Sequence, residues 1–139
     1  MSVNDLRGNV SGEPAHTIYI GAFGRSWLNS NDRGHWRKHS PLVREWRDAA
    51  SWAAIGAKVP PLRRVYVLAE LRWTDNNRRR DPANYYPTVK ACVDGLVTAG
   101  VLFDDSAKHL IGPDMRQGPK ASTVDALYLH LWELPDEEE

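Results

Sequence analysis

The residues of this chain best equipped for chemistry lie within 28 positions, from Arg78 to Asp105. Arg78-Arg79-Arg80-Asp81-Pro82-Ala83-Asn84 is followed by Lys90, Asp94 and the pair Asp104-Asp105. Guanidinium and ammonium groups neutralise phosphate, and carboxylates hold a hard divalent metal; a metal-dependent nuclease is built from those parts. A plainer reading uses the same residues, since arginine runs are commonly solvated and aspartates commonly cap helices or make turns. Order and context along the chain bear on which reading holds.

Apolar periodicity predicts the elements that would position these groups. After a loose lead-in over 1–15, Thr17-Ile18-Tyr19-Ile20 alternates as a short strand, and Gly24 to Ser40 is a polar loop. Ser40 as N-cap and Pro41 at the first helical position predict a helix to about Ile55, with Val43, Trp46, Ala50 and Ala53 on its inner side. Val65, Val67, Ala69, Leu71 and Trp73 alternate with more polar neighbours as a strand. Val89, Cys92, Val93, Leu96 and Val97 form a helical stripe, with Pro87 in the first turn and Gly100 as C-terminal cap. A short strand over Lys108–Ile111, ended by Gly112-Pro113, and a last strand over Val124–Leu134 complete the order. The expectation is one α+β (α/β) domain over 16–134, β-α-β-α-β-β, with two helices against a small mixed sheet and an acidic tail over 135–139.

In that frame Asp81 enters the second helix and Asp104-Asp105 leaves it, so both acids sit at element ends, where loops can converge. Lys90 and Asp94, four apart, share a helix face. Taken alone they also read as a surface ion pair worth about 0.3–0.5 kcal/mol.

Bulk composition narrows the function classes. A chain of 139 residues with 42% hydrophobic content and six tryptophans fits one folded domain rather than disorder. No apolar run approaches the roughly 20 residues that span a bilayer, and the N-terminus lacks the basic-then-apolar order of a signal peptide. Cys92 is the single cysteine, which leaves no internal disulfide or cysteine-rich zinc cluster and suits a reducing, intracellular setting. The formal net charge of zero conceals an asymmetry. Eighteen basic residues face thirteen acidic ones over 1–132, a net charge of +5, and the last seven residues hold the other five acids. A basic body with an acidic tail is common in proteins that touch nucleic acid, and such a tail also simply aids solubility.

The ordered set Asp81…Asn84…Lys90…Asp94-Gly95-Leu96…Ala99-Gly100-Val101…Asp104-Asp105 resembles the RusA family of Holliday-junction resolvases. The upstream Asn29-Ser30-Asn31-Asp32-Arg33-Gly34-His35-Trp36 is similar to that family's Asn/Arg-rich loop, and Glu45–Ala50 to its first helix. The resemblance runs from about Ile18 to Leu134. It departs in two places: the motif's second acid falls on Ala83, and about three extra residues around Tyr85-Tyr86-Pro87 separate Asn84 from Lys90.

The resemblance implies a magnesium-dependent (or manganese-dependent) endodeoxyribonuclease acting on four-way junctions, working as a homodimer in a bacterial or phage-infected cytoplasm. Asp81 and Asp105 are its implied metal ligands, with Asp104 and Asp94 as further candidates. Lys90 is the implied partner of the phosphate or the attacking water. Arg78, Arg79, Arg80 and Asn84, with Asn31, Arg33, His35 and Arg37, would contact DNA, although His35 can equally satisfy a loop carbonyl. Trp36, Tyr85 and Tyr86 are candidates for stacking on an exposed base, whereas Trp46 and Trp73 follow the buried periodicity. The apolar positions of the first and last strands are candidates for subunit pairing. Two rivals stay open: a DNA-binding protein that lost its metal site at Ala83, and an interaction domain whose acids only cap and whose arginines are only solvated.

Overall fold

The structure is a computed structural model that describes residues 12–31, 36–75 and 78–135, with residues 36–39 described by their backbone alone. Its elements are β1 (His16–Gly21), α1 (Trp36–Gly56), β2 (Val65–Arg72), a 3-10 turn (Pro82–Tyr85), α2 (Tyr86–Thr98), β3 (Leu110–Gln117) and β4 (Ala126–Glu133). The strands form a four-stranded mixed sheet in the order β1-β4-β2-β3. β4 pairs antiparallel with both β1 and β2, while β2 and β3 run parallel. The expected α+β order of elements is therefore the observed one. No helix among the described residues is long and apolar enough to cross a membrane.

Alternation decides which side of each strand meets the helices. Val65, Val67, Ala69 and Leu71 of β2 and Leu127, Leu129 and Leu131 of β4 join Ile18 and Ile20 of β1 in one buried cluster. Trp46, Ala50 and Ala54 of α1 and Val89, Cys92, Val93 and Leu96 of α2 close over it. Burial inside this cluster pushes the Cys92 thiol pKa up, so it stays protonated. The inward apolar positions of the first and last strands, Ile18, Ile20, Leu127, Leu129 and Leu131, thus lie in the core. The opposite sheet face is buried as well at its centre, where Tyr66 and Leu68 pack with Trp132.

Two expected boundaries move. α1 begins at Trp36 with Pro41 inside it, not at a Ser40 cap. Pro41 removes one ladder donor and crowds the carbonyl four residues back, but it falls in the second turn, where only the short segment before it is affected. The inner face of α1 is Trp46, Ala50 and Ala54, and Val43 is exposed. β3 likewise runs through Gly112-Pro113 to Gln117, with a register shift opposite Tyr66 and Leu68. In the described sheet β3 pairs on one side only, and an edge strand tolerates a proline at a bulge that a central strand would reject.

α1 and α2 cross closely. A Cβ at Gly95 would stand 2.2 Å from the backbone oxygen of Arg47, so only glycine permits this approach. At the far end of α2, Gly100 adopts φ +83°, and its N–H bonds to Val97 O at 3.0 Å while Val101 N–H bonds to Leu96 O at 2.9 Å. This paired closure of the last turn turns the chain sharply into the loop that carries Asp104 and Asp105.

Candidate active site

The site residues are placed by the β2–α2–β3 unit and the loop before α1. Beyond β2, Thr74 is held by Asp125, whose Oδ1 accepts from the Thr74 N–H at 2.8 Å and its hydroxyl at 3.1 Å. The chain then reaches Asp81, which caps the 3-10 turn: its Oδ1 accepts from the Ala83 N–H at 3.1 Å. Asn84 O accepts from the Ser30 N–H at 2.8 Å, and Thr88 Oγ1 both donates to Leu28 O and accepts from Leu28 N, each at 2.8 Å. These bonds fix the Asn29–Asn31 segment against the start of α2. Asn31 itself is exposed, its N–H bonded to Asn29 Oδ1 at 2.8 Å.

At the second turn of α2 the structure joins three of the expected residues. Lys90 Nζ lies 2.6 Å from Asp94 Oδ1 and 2.6 Å from Asp105 Oδ2. Sequence spacing accounts for the first contact. The second spans fifteen positions and depends on the Gly100 turn and on a bridge that seats Leu102 beside Leu62. The three side chains are about equally open to solvent, at 40%, 43% and 44% exposure for Lys90, Asp94 and Asp105. Partial burial alone would lower the Lys90 pKa, but hydrogen bonds and charge attraction from Asp105 and Asp94 outweigh it and raise it. The hydrogen bond from Lys90, and its charge, hold Asp105 below the usual carboxylate range. Lys90 is therefore a firm cation and Asp105 a firm anion near neutral pH.

Asp104 turns the other way. Its Oδ1 accepts from the Ser106 N–H at 2.8 Å, and its hydrogen bonds with Ser106 lower its pKa. Its Oδ2 stands 4.0 Å from His109 Nε2. Arg79, Arg80, Asp81, Pro82 and Asn84 line an open depression of about 550 Å³. Arg80 Nη1 donates to Asp75 O at 2.7 Å, and its guanidinium lies over the Trp73 ring at 4.7 Å. Arg33 and His35 lie outside the described residues, and the side chains of Trp36 and Arg37 do as well. Of the candidate stacking residues, Tyr85 is buried at 7% exposure beside Trp73 and Trp27, whereas Tyr86 is 43% exposed. Trp46 and Trp73 are core residues, as their periodicity implied.

Among the described residues, no group of three or more His, Cys, Asp and Glu side chains stands together in a way that could hold a metal ion. Two carboxylates do meet at Lys90, both open to water. A hard, water-rich cation such as magnesium binds through one or two carboxylates plus substrate phosphate, and Asp94 with Asp105 fits that donor set. Asp81 presents a third carboxylate from the other end of α2, with one oxygen engaged by its own turn.

Sequence reasoning missed a polar chain on the opposite sheet face. Glu70 is 1% exposed, and its Oε2 accepts from His130 Nε2 at 2.9 Å. An ionised carboxylate offers only lone pairs, so Nε2 carries the hydrogen. His130 Nδ1 pairs with Thr17 Oγ1 at 2.9 Å, and Arg72 Nε donates to Glu70 Oε1. The available signal was a charged residue in the middle of an otherwise apolar strand. Trp27, in an aperiodic polar loop, carried no such signal. No family model matches the chain, and no curated protein matches it.

Proposed function

We propose that this chain is a magnesium-dependent endodeoxyribonuclease of the RusA kind that cuts branched DNA. The observation that carries the reading is the meeting of Lys90 with Asp94 and Asp105 at 2.6 Å each, on the helix that follows the arginine-lined depression at Asp81. Asp105, with Asp94 or Asp81, would hold the ion, which when bound supplies a polarised phosphate and a water of lowered pKa. Lys90 acts as a fixed charge. Two of its three N–H donors hold Asp94 and Asp105, which raises its pKa, and the third is available to a phosphate oxygen. Arg78, Arg79 and Arg80 would neutralise backbone phosphates and make binding salt-dependent. Symmetric cutting of a four-way junction needs two such sites, which a homodimer supplies through two-fold symmetry.

A second reading has its own support. Ala83 stands where the resembled motif has an acid, and no third acid joins Asp94 and Asp105 among the described residues. On that reading the protein binds junctions without cutting them. Cleavage of a mobile four-way junction, with and without magnesium and with Asp105→Asn alongside, separates the two. Paired, metal-dependent nicks lost in the variant support the nuclease; tight binding with no nicks in magnesium or manganese supports the binder.

A further inference from the structure

Beyond β1 the chain makes a tight turn that carries an aromatic ring into open water. Phe23 is 70% exposed and adopts φ +46°, Gly24 follows at φ +81°, and the Arg25 N–H closes the turn on Ala22 O at 2.8 Å. Left-handed backbone under a bulky side chain costs the fold energy, and a ring left in water recovers little of it by burial. A cost of that kind at an exposed position points to a task outside the fold. The ring has a seat: it lies across Gly21, where a Cβ would run into both the Phe23 ring and the Tyr19 hydroxyl. Tyr19 is 42% exposed on the outer sheet face and leans on Tyr128, its register partner, with ring centroids 5.3 Å apart. Unlike the buried Trp73 and Tyr85, Phe23 and Tyr19 are open to solvent.

Cations flank this pair. Arg25 is braced over the Trp46 ring at 5.0 Å and donates to Gly21 O at 3.1 Å. On the other side the loop after β3 is pinned by the Gly118 N–H to Leu71 O at 2.8 Å and the Ala121 N–H to Trp73 O at 2.9 Å. That loop holds exposed Lys120 on the wall of a hollow of about 220 Å³, which Tyr19 also lines. The hollow shares Thr123 and Val124 with a second, of about 380 Å³, beside Phe23 and Arg25. The second shares Asp125 with the hollow that holds Arg78 and Arg80, and Arg80 also lines the depression at Asp81. One furrow therefore runs from Asp81 round the end of the sheet to Tyr19. Asp125, at its middle, turns Oδ1 to Thr74.

We propose that Phe23 and Tyr19 form a stacking platform for an unpaired DNA strand that leaves the active-site end of the sheet, with Arg25 and Lys120 on its phosphates. Exposed rings beside a cationic furrow are the combination that holds single strands, because every base has a face to stack and every nucleotide a charge to neutralise. The inference rests on the DNA reading above and deepens it, by adding a contact on the outer sheet face, remote from the arginines at Asp81. Such a contact favours branched DNA with bases to offer over continuous duplex, which must first unstack.

The test is fluorescence anisotropy on the full-length protein without metal, using a labelled thymidine dodecanucleotide and, separately, a closed duplex hairpin. Phe23→Gly and Tyr19→Ala should each weaken dodecanucleotide binding about tenfold, and hairpin binding by no more than about twofold. Tyr19→Phe keeps the ring and should bind as wild type does. Glycine adopts the left-handed turn freely, so Phe23→Gly should not lower the melting temperature. Should it do so, Tyr19→Ala against Tyr19→Phe supplies the independent measure. Lys120→Gln should reduce the slope of log affinity on log salt by about 0.7. Dodecanucleotide affinity unchanged in both Phe23→Gly and Tyr19→Ala overturns the platform and leaves the DNA reading standing. Equal losses on dodecanucleotide and hairpin overturn it as well. A wild type that binds neither the dodecanucleotide nor a four-way junction removes the DNA reading and the platform together. Sedimentation covers the other occupant: a wild-type dimer that Phe23→Gly converts to monomer assigns the rings to a second copy of the chain and overturns the proposal.

Discussion

Two clusters on this domain each pair an acid with a basic side chain and differ in almost everything else. The Lys90–Asp94–Asp105 cluster is open to water on a helix, and the Glu70–His130–Thr17 chain is sealed in the sheet with Arg72 beside it. Water screens the first, so its bonds are weak and its partners can be exchanged for a phosphate or a cation at little cost. The second has lost its hydration, so each partner is needed to offset the desolvation of the others. An exchangeable charge cluster suits chemistry, and a locked one suits architecture.

The largest expected effect is on the open cluster's chemistry. Asp105→Asn should reduce junction cleavage by about a thousandfold, on the order of 4 kcal/mol at the transition state, with junction affinity and melting temperature unchanged. Cleavage at the normal rate would remove Asp105 from the site.

Next is the locked chain. Glu70→Ala should destabilise the fold by about 3 kcal/mol, because it leaves His130 and Arg72 without their buried acceptor. Urea unfolding measures it, and a loss below 1 kcal/mol would put this chain on a par with the open cluster.

The comparison also has a pH form. Burial alone would raise the Glu70 pKa, but hydrogen bonds from His130 and Arg72 and the Arg72 charge outweigh it and hold it below the usual 4.5. A lowered folded pKa means the carboxylate binds protons less readily in the folded state. Its stabilisation is therefore complete above about pH 4.5 and fades as pH falls through the lower folded value. Wild type should lose urea resistance on acidification from pH 5 to pH 3, and Glu70→Ala should lose less over that range; parallel losses would show that Glu70 is not the group responsible.

Smaller effects sharpen the open side. Arg79→Ala should weaken junction binding several-fold and reduce the salt slope by about one, without abolishing cutting at saturating protein. The smallest effect is the coupling between Lys90 and Asp94, which a double-mutant cycle on stability should place at about 0.3–0.5 kcal/mol. A coupling above 2 kcal/mol would mean that this pair too is structural.

How far the sequence revealed these regions depended on contact range. The α2 stripe of Val89, Cys92, Val93 and Leu96 and the Leu127–Leu129–Leu131 face of β4 are local periodicities, and both are buried as expected. Lys90–Asp94 is one helical turn and equally legible. Asp105 reaches Lys90 only through a tertiary turn and a distant bridge, and Glu70 meets His130 across sixty positions, so neither contact has a local signature. Pro41 and Gly112-Pro113 misled for a related reason: they are strong stop signals in isolation, and the helix start and the sheet edge each have room to absorb them.

The two-way bond between Thr88 and Leu28 has a dynamic consequence. One hydroxyl ties the amide and the carbonyl of a loop residue to the first turn of α2. Loop and helix start must therefore open as one cooperative unit. The Leu28 amide should exchange its hydrogen for deuterium on the slow timescale of the helix, although it sits in a segment without regular structure.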